Sequence, residues 1–397
     1  MKPCIVWDSI LSLEKASKGD ISQIVYIVEA LAKRGIDVSL VALNAGKAHI
    51  DGVKIKQVPN LWYIRQRTRT LGRVFPDLYG YGGKITARNI ADFVKNALDP
   101  LEHYDLYHVR TRYLAIELKR LQPNKPLVYT AIPQFLHTKQ QKDKVIDQMA
   151  INSADRLIAL TEGWKQFIID NFDIHGREID VVPVCVKNPD NITNDDLAIN
   201  SLFDGKKVIG YFGRLQEGYG IDILIESVPE IRKYIGNLLV IIAGGSVYGY
   251  KDKLEALVKR LKINDNVYFA GEIPRNLIPA YLSKCDILVN FRYSKEGNRY
   301  GFDQSIPIKC VEYIMHGKPI IATRDGGMEQ LLGKDYPYLV DYNDKLKIIE
   351  SIVKLLTDEN EAYRIGEKNR IISSRFTYET VSDQLLQIYN KALNCIP

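Results

Sequence analysis

Short apolar runs alternate with longer amphipathic segments along most of the chain. The runs predict buried β-strands, and the amphipathic segments between them predict crossover helices, the pattern of a doubly wound parallel sheet. A helix is predicted over 22–34, where apolar residues recur at helical spacing and Gly35 follows as a stop signal. The predicted strands of this first half are 4–7, 38–42, 106–108, 127–130, 157–160 and 179–183.

A second series of the same kind follows residues 189–204, which are rich in Asn and Asp and predict a linker. We therefore expect two Rossmann-like α/β domains, 1–188 and 205–376, facing a cleft. Open sheets of this kind bind ligands at the carboxyl ends of their strands, so the cleft is the expected active site. The predicted strands are 208–212, 238–243, 267–270, 287–291, 320–322 and 338–339, and the predicted helices are 221–235, 253–261, 277–283, 308–316 and 346–356.

Composition narrows the class of protein. The length of 397 residues suits two domains, and 46% hydrophobic with 26% charged residues is typical of a packed globular protein. Five scattered cysteines without a C-x-x-C pair argue against a disulfide framework or a zinc site, and we expect no metal ion. We find neither a secretion signal nor an apolar run of about 18 residues, which predicts a cytoplasmic protein.

The net charge of +6 is modest, but it is unevenly distributed. Residues 62–95 hold seven basic side chains against two acidic ones, interleaved with Trp, Tyr, Phe and Leu. Such a mixture can bind phosphate headgroups and bury apolar side chains, which predicts a peripheral contact with an anionic membrane surface. A solvated helix explains it equally well. Nucleic acid could use the same surface but is not expected.

Two predicted strands of the second half end in glycine turns. Gly213-Arg214-Leu215 follows the strand 208–212, and Gly244-Gly245 follows the strand 238–243. Glycine lets the backbone approach a phosphate closely, and the Arg214 guanidinium adds a charged donor. Each turn alone is equally well explained as a tight connection. The two turns therefore indicate a phosphate site only together with the motifs that follow.

The strongest segment is 305–323, SIPIKCVEYIMHGKPIIAT. Pro307 suits the first position of a helix, whose unpaired N–H groups and dipole favour a diphosphate. Lys309 is expected beside that phosphate. Glu312, about one and a half turns into the helix, can accept hydrogen bonds from ribose hydroxyls. Taken singly these are ordinary surface residues, but together they predict a nucleotide site.

In order and spacing, these motifs resemble the donor half of family-four retaining glycosyltransferases. The first half adds weaker matches, among them Gly19 before the first helix, and the ending 376–389 resembles the closing helix that crosses back onto the first domain in this family. The matching residues of the second half are Gly213-Arg214-Leu215, Ala243-Gly244-Gly245, 269–274, Cys285-Asp286-Ile287, 312–323 and Gly326-Gly327.

The resemblance implies a GT-B fold, with the acceptor bound by the first domain, on which 377–397 would pack, and a nucleotide-sugar donor bound by the second. It implies metal-independent transfer of a hexose-type sugar, with retention, to a glycan, lipid-linked or small-molecule acceptor, with no cofactor beyond the donor. Arg214 would contact the diphosphate, 271–273 the base and Glu312 the ribose. The residues so assigned to the donor are Gly19, Gly213, Arg214, Gly244, Gly271, Glu272, Ile273, Ile306, Pro307, Ile308, Lys309 and Glu312.

Two departures from the family pattern concern the donor. Tyr219 stands where many members carry a diphosphate-binding lysine, and Lys309 is the candidate to replace that lysine, as in one branch of the family. Gln304 stands where many members carry a glutamate near the transferred sugar. Its amide could still orient a sugar hydroxyl, and Glu296 or Asp303 could supply the carboxylate instead.

A third departure concerns the first domain, where 131–133 read Ala-Ile-Pro and Ile132 lies where a histidine often follows the strand. His108 and His137 are the nearest alternatives, although a lone histidine is more often structural. The catalytic candidates are Arg214, Lys309, Glu312, Gln304 and His108. The alternatives to a transferase are a catalytically silent partner protein that binds nucleotide or glycan and, with less support, a nucleotide-sugar epimerase.

Overall fold

A computed structural model describes residues 1–7, 19–42, 48–57, 103–133, 135–189, 200–293 and 304–394. The chain divides into two compact units: the first is Met1–Cys185 with Tyr378–Pro397, and the second is Val186–Thr377. Each unit contains a parallel sheet with helices, so the predicted α/β class with two Rossmann-like domains is confirmed. Residues 190–199 of the predicted linker lie outside the described part of the chain.

The described strands of the first unit are β1 (Pro3–Trp7), β2 (Ser39–Ala42), β3 (Lys54–Gln57), β4 (Leu106–Val109), β5 (Leu127–Thr130), β6 (Arg156–Ala159) and β7 (Ile179–Val181). They form one parallel sheet in the order β3-β2-β1-β4-β5-β6-β7. Its helices begin with α1 (Gly19–Lys33), α2 (Arg112–Leu121), α3 (Phe135–Thr138), α4 (Gln141–Ser153) and α5 (Glu162–Asn171). The β1, β2, β4 and β5 strands are buried along their whole length, which explains their apolar sequences.

The described strands of the second unit are β8 (Lys207–Phe212), β9 (Leu238–Ala243), β10 (Val267–Gly271), β11 (Ile287–Asn290), β12 (Ile320–Thr323) and β13 (Leu339–Val340). They form a parallel sheet in the order β10-β9-β8-β11-β12-β13. The helices are α6 (Asn200–Phe203), α7 (Ile221–Ile231), α8 (Tyr250–Arg260), α9 (Ile278–Lys284), α10 (Ile308–Met315), α11 (Gly326–Leu332), α12 (Lys345–Thr357) and α13 (Glu359–Ser373). The strand order reverses between β8 and β11, so ligands are expected at the carboxyl ends of these strands.

The last helix, α14 (Tyr378–Leu393), packs against α1 in the first unit, as the predicted closing helix requires. Its apolar side, which includes Val381 and Leu385, joins the core of that unit. Polar contacts fix its direction. The Arg34 guanidinium pairs with the Asp383 carboxylate, and the Tyr378 hydroxyl donates to Glu29 Oε2 at 2.7 Å.

Candidate functional site

The glycine turns after β8, β9 and β10 are joined by backbone hydrogen bonds. Gly213 N donates to Ala243 O at 2.8 Å, and Gly244 N donates to Gly271 O at 2.7 Å. A Cβ atom on Gly244 would lie 1.8 Å from Gly213 O, and Gly244 has a φ of 139°. Only glycine fits there. The structure thus brings three of the predicted donor-binding glycines together at the carboxyl edge of the sheet.

The residues after Gly271 lie at the same edge. Glu272 is exposed and Ile273 is partly exposed. The Glu272 carboxylate lies against the second glycine turn, because a Cβ on Gly245 would come within 2.3 Å of Glu272 Oε1. Glu272 therefore extends the edge that the glycine turns form.

Helix α10 begins at Ile308, as its predicted bounds 308–316 have it, but Pro307 is not in the first helical position that its sequence suits. Pro307 has φ −68° and ψ 124°, and this extended ψ makes it the residue before the helix rather than its first residue. Its carbonyl accepts hydrogen bonds from Cys310 N at 2.9 Å and Val311 N at 3.3 Å. The helix starts at Ile308, and because α10 connects β11 to β12, its N-terminus lies at the carboxyl edge of the sheet.

Tyr313 holds α10 against the end of β8. Its hydroxyl accepts from Phe212 N at 2.8 Å and donates to Phe212 O at 3.1 Å, and both groups are buried. The Tyr211 hydroxyl donates to Arg214 O at 2.8 Å, which fixes the following turn. The Arg214 side chain itself is exposed. The α10 N-terminus and the Gly213-Arg214 turn are therefore held next to each other.

The side chain of Lys309, the second residue of α10, lies against the Gly213-Arg214 turn. Its Nζ is 4.0 Å from the centre of the Tyr211 ring and 5.5 Å from that of Tyr219, and a Cβ on Gly213 would lie 3.4 Å from it. The ammonium is buried and has no hydrogen-bond partner among the residues that the structure describes. Burial, with a smaller contribution from the Arg292 charge, lowers the pKa of Lys309 to about 7. Such an ammonium is suited to receive an anion.

Glu312 is one turn further along α10 and pairs with Arg275. The Arg275 guanidinium contacts Glu312 Oε1, and the two side chains are 27% and 17% exposed. Burial raises the pKa of Glu312, and the positive charge of Arg275 opposes that rise. The pair is not visible in the sequence, because 37 residues separate Arg275 from Glu312 and no local pattern joins them.

A second unpredicted pair holds the segment before α10. Arg292 follows β11, and its Nε and Nη2 donate to the two carboxylate oxygens of Asp325, each at 2.6 Å. Nη2 also donates to Ser305 O at 2.9 Å. Asp325 in turn caps α11 by accepting from Met328 N at 2.8 Å. This pair ties the ends of β11 and β12 to the segment that leads into Pro307.

The remaining donor candidates have less distinctive surroundings. Gln304 lies in a turn before α10, and Ile306, like Pro307 and Ile308, is partly exposed. Gly19 is the first residue of α1 in the first unit. Several predicted features lie outside the described residues: Glu296, Asp303, the His137 side chain and the basic segment 62–95. Within the described residues, no three His, Cys, Asp or Glu side chains are grouped as metal ligands, and no helix has the length and apolarity to cross a membrane.

His108 lies in the core of the first unit. Its Nδ1 is 2.7 Å from the Tyr389 hydroxyl of α14, and its Nε2 is 2.8 Å from the Thr130 hydroxyl. Both ring nitrogens are thus engaged, and the side chain is buried. Burial lowers the pKa of His108 to about 3, with a smaller contribution from the Arg110 charge. This geometry favours a structural role over the catalytic one for which His108 was a candidate.

The low pKa of His108 predicts an acid sensitivity of the first unit. Below pH 6.5 the unfolded chain protonates His108 while the folded chain does not, until the pH approaches about 3. The free energy of unfolding should therefore fall by up to about 1.4 kcal/mol per pH unit in this window. Replacing His108 with Gln removes this contribution, so the stability difference between wild type and His108→Gln should shrink by about 2 kcal/mol from pH 7 to pH 5.

Urea unfolding followed by tryptophan fluorescence measures this difference, since Trp7 and Trp164 are buried in the first unit. Taking the difference between the two proteins cancels the titration of all other groups. His175→Gln, at an exposed histidine, is the control and should leave stability within about 0.5 kcal/mol of wild type. A wild-type to His108→Gln difference that does not change with pH would contradict the prediction.

Two family models match the chain, one in each half. Residues 22–187 match the model described as Glycosyltransferase Family 4, and residues 193–371 match the model described as Glycosyl transferases group 1. The second match contains every site residue described above from Gly213 to Asp325. The chain belongs to the group 1, family 4 glycosyltransferases.

The individual relatives of this chain that we compare are distant. The chain is 23% identical to an uncharacterized glycosyltransferase of Methanocaldococcus jannaschii, over 64% of this chain and 62% of that protein, less than two thirds of its length. It is 22% identical to a D-inositol 3-phosphate glycosyltransferase of Corynebacterium efficiens, over 93% of this chain and 90% of that protein. The crystal structure of Anabaena HepE in complex with UDP-glucose is similar, with a TM-score of 0.69 at 18% identity, covering 98% of this chain and 100% of that one. This likeness establishes the shared GT-B fold.

Proposed function

We propose that this protein transfers a hexose-type sugar from a nucleoside diphosphate sugar to a glycan, lipid-linked or small-molecule acceptor, with retention and without a metal ion. The observation that carries the proposal is the Lys309 ammonium, buried at the Gly213 turn without a hydrogen-bond partner among the described residues. Its position at the N-terminus of α10 adds the helix dipole to its charge. These two features together suit a diphosphate.

In the proposed reaction the bond between the anomeric carbon and the diphosphate breaks as the sugar passes through an oxocarbenium-like state. Negative charge then develops on the leaving diphosphate. Lys309, Arg214 and the N-terminus of α10 are placed to stabilise it, which is the kind of electrostatic stabilisation that usually contributes most to catalysis. Glu312 would accept the ribose hydroxyls one turn further along the helix. UDP-glucose, the ligand of the Anabaena structure, suggests a uridine donor.

The position of Lys309 bears on the alternative of a silent partner protein. Tyr219, which departs from the family pattern, faces Lys309 with its ring, and Tyr211 faces the same ammonium at a shorter distance. Aromatic faces stabilise a cation that is removed from water. The tyrosine at position 219 thus supports the lysine at position 309 rather than leaving the diphosphate without a cation. This arrangement favours an active transferase.

Exchange of Arg214 tests the proposal. The purified protein should release nucleoside diphosphate from one of UDP-glucose, GDP-mannose or ADP-glucose when an acceptor is added, and Arg214→Ala should lower kcat/KM about 10²-fold or more because a charge at the leaving group is lost. Nucleoside diphosphate release is measured by a coupled assay. The control is Arg232→Ala. Arg232 is an exposed arginine that directly follows α7, and its variant should retain wild-type activity.

The outcomes separate the candidate functions. Donor binding without turnover over a panel of glycan, lipid-linked and soluble acceptors would favour the silent partner. Interconversion of the donor sugar without transfer would favour the epimerase. Peripheral contact with an anionic membrane through 62–95, and a cytoplasmic location, remain predictions.

A further inference from the structure

The contact between Arg275 and Glu312 joins two parts of the second unit that the sequence leaves separate. Arg275 is the first residue of a short 3₁₀ turn, Arg275–Leu277, that directly follows 271–274. Leu277 N donates to Pro274 O at 2.9 Å, which fixes the start of that turn. Glu312 belongs to α10. The guanidinium therefore links the segment after β10 to the helix that carries Lys309.

The contact also controls the charge of Glu312. Burial disfavours the carboxylate and raises the pKa of Glu312, while the charge and hydrogen bond of Arg275 favour the ionised form. The ionised carboxylate is an acceptor at both oxygens, whereas the protonated form must donate one hydrogen. With Arg275 on Oε1, Oε2 and the remaining lone pairs are available to ribose hydroxyls. Arg275 thus favours the form of Glu312 that accepts hydrogen bonds, in a fixed orientation.

We propose that Arg275 is a positioning residue that holds Glu312 as an oriented acceptor for the ribose of the donor nucleotide, and that this pair makes the site selective for ribonucleoside over 2′-deoxyribonucleoside diphosphates. The inference rests on the proposed function, because it takes the ligand of α10 to be a nucleoside diphosphate. It assigns Arg275 a role that acts through Glu312 rather than on the substrate.

Titration calorimetry with UDP and 2′-deoxy-UDP tests the inference. Wild type should bind UDP about tenfold more tightly than 2′-deoxy-UDP, the effect of one hydrogen bond to a charged group. Arg275→Ala should bind UDP more weakly and bring this ratio close to one. Its UDP affinity should also fall more steeply than that of wild type as the pH is lowered, because the pKa of Glu312 rises further when Arg275 no longer favours the carboxylate. Arg275→Lys restores the charge and should restore most of the ratio.

Arg324→Ala is the matched control. Arg324 belongs to the same unit and donates to Glu329 Oε1 at 2.7 Å, so its loss also breaks an arginine–glutamate pair. Its UDP to 2′-deoxy-UDP ratio should equal that of wild type. Thermal melting of each variant shows whether the fold is kept.

The results distinguish two kinds of failure. If wild type prefers UDP and Arg275→Ala keeps the same preference, even with weaker binding of both nucleotides, Arg275 has only a structural role and the inference is overturned while the proposed function stands. If wild type binds none of UDP, GDP and ADP, the proposed function fails and the inference fails with it.

Discussion

Replacing Asp325 with Ala should lower the free energy of unfolding of the second unit by about 3–5 kcal/mol. The Asp325 carboxylate receives two hydrogen bonds from Arg292, and the two side chains are only 11% and 5% exposed. Its removal takes from a buried guanidinium the carboxylate that accepts two of its hydrogen bonds, which is far more costly than the loss of a surface pair. The cap of α11, in which Asp325 accepts from Met328 N, is lost as well.

Hydrogen exchange of peptides from the second unit measures this effect. All three tryptophans of the chain, Trp7, Trp62 and Trp164, fall in the first unit, so their fluorescence reports whether that unit is unaffected. Asp344→Ala is the control, since Asp344 caps α12 through Lys347 N and is exposed. It should cost about 1 kcal/mol. Equal losses of stability for Asp325→Ala and Asp344→Ala would mean that Asp325 stabilises the second unit only by capping α11.

The same pair should influence the site. Arg292 also donates to Ser305 O, two residues before Pro307, so it fixes the backbone that leads into α10. Asp325→Ala is therefore expected to weaken UDP binding in addition to lowering stability. In the double variant Arg292→Met with Asp325→Ala the buried guanidinium is gone as well, and most of the stability should return while the binding defect stays. Recovery of stability without recovery of UDP binding would show that the hydrogen bond from Arg292 to Ser305 O supports binding independently of stability.

The sequence predicts well those helices and strands whose own residues determine their secondary structure. The β9 strand is a run of six buried apolar residues, and its predicted bounds, 238–243, equal those observed, Leu238–Ala243. The β3 strand was not predicted because Lys54–Gln57 is a polar edge strand without an apolar run. This strand forms because its backbone pairs with β2, and that pairing cannot be read from the residues of the strand itself.

The same distinction applies to the site. Lys309 and Glu312 are predictable because both belong to one short helix that follows a proline and precedes a buried strand. Their environment is not predictable. The arginines that act on them, Arg275 and Arg292, look like surface residues in sequence, and their carboxylate partners are 37 and 33 residues away. Only the fold brings these charges together, through turns that follow three different strands.

Replacing Lys309 with Met should lower kcat about 10²–10³-fold, because it removes a fixed positive charge from the developing diphosphate. Donor affinity should also lose part of its pH dependence. Without nucleotide the pKa of Lys309 is lowered to about 7, since burial dominates and Arg292 adds to it, while Cys310 and the faces of Tyr211 and Tyr219 favour the cation. Binding a diphosphate favours the ammonium, so wild type should take up protons on binding UDP and bind more weakly as the pH rises above about 7.

Stability should change with pH in the opposite direction. Between about pH 7 and pH 10.5 the unfolded chain holds a proton on Lys309 that the folded chain has lost, so this residue makes the second unit more stable as the pH rises when no nucleotide is added. At or below pH 7 its buried ammonium is destabilising, and Lys309→Met should stabilise the second unit while it lowers turnover. Calorimetry in buffers of different ionisation enthalpy measures the proton uptake, and Lys309→Met provides the baseline for protons taken up by UDP itself.

Lys318 supplies the matched comparison. It is a partly buried lysine of the second unit whose pKa is also lowered by burial, but its Nζ donates to Ser283 O at 2.8 Å and Cys285 O at 2.6 Å. Lys318→Met should therefore lower stability, because two carbonyls lose their donor, and should leave the proton uptake on UDP binding unchanged. If both lysine variants lose stability and keep turnover, Lys309 is a packing residue. If Lys309→Met alone stabilises the second unit and loses turnover, the Lys309 charge serves to bind a ligand and not to stabilise the fold.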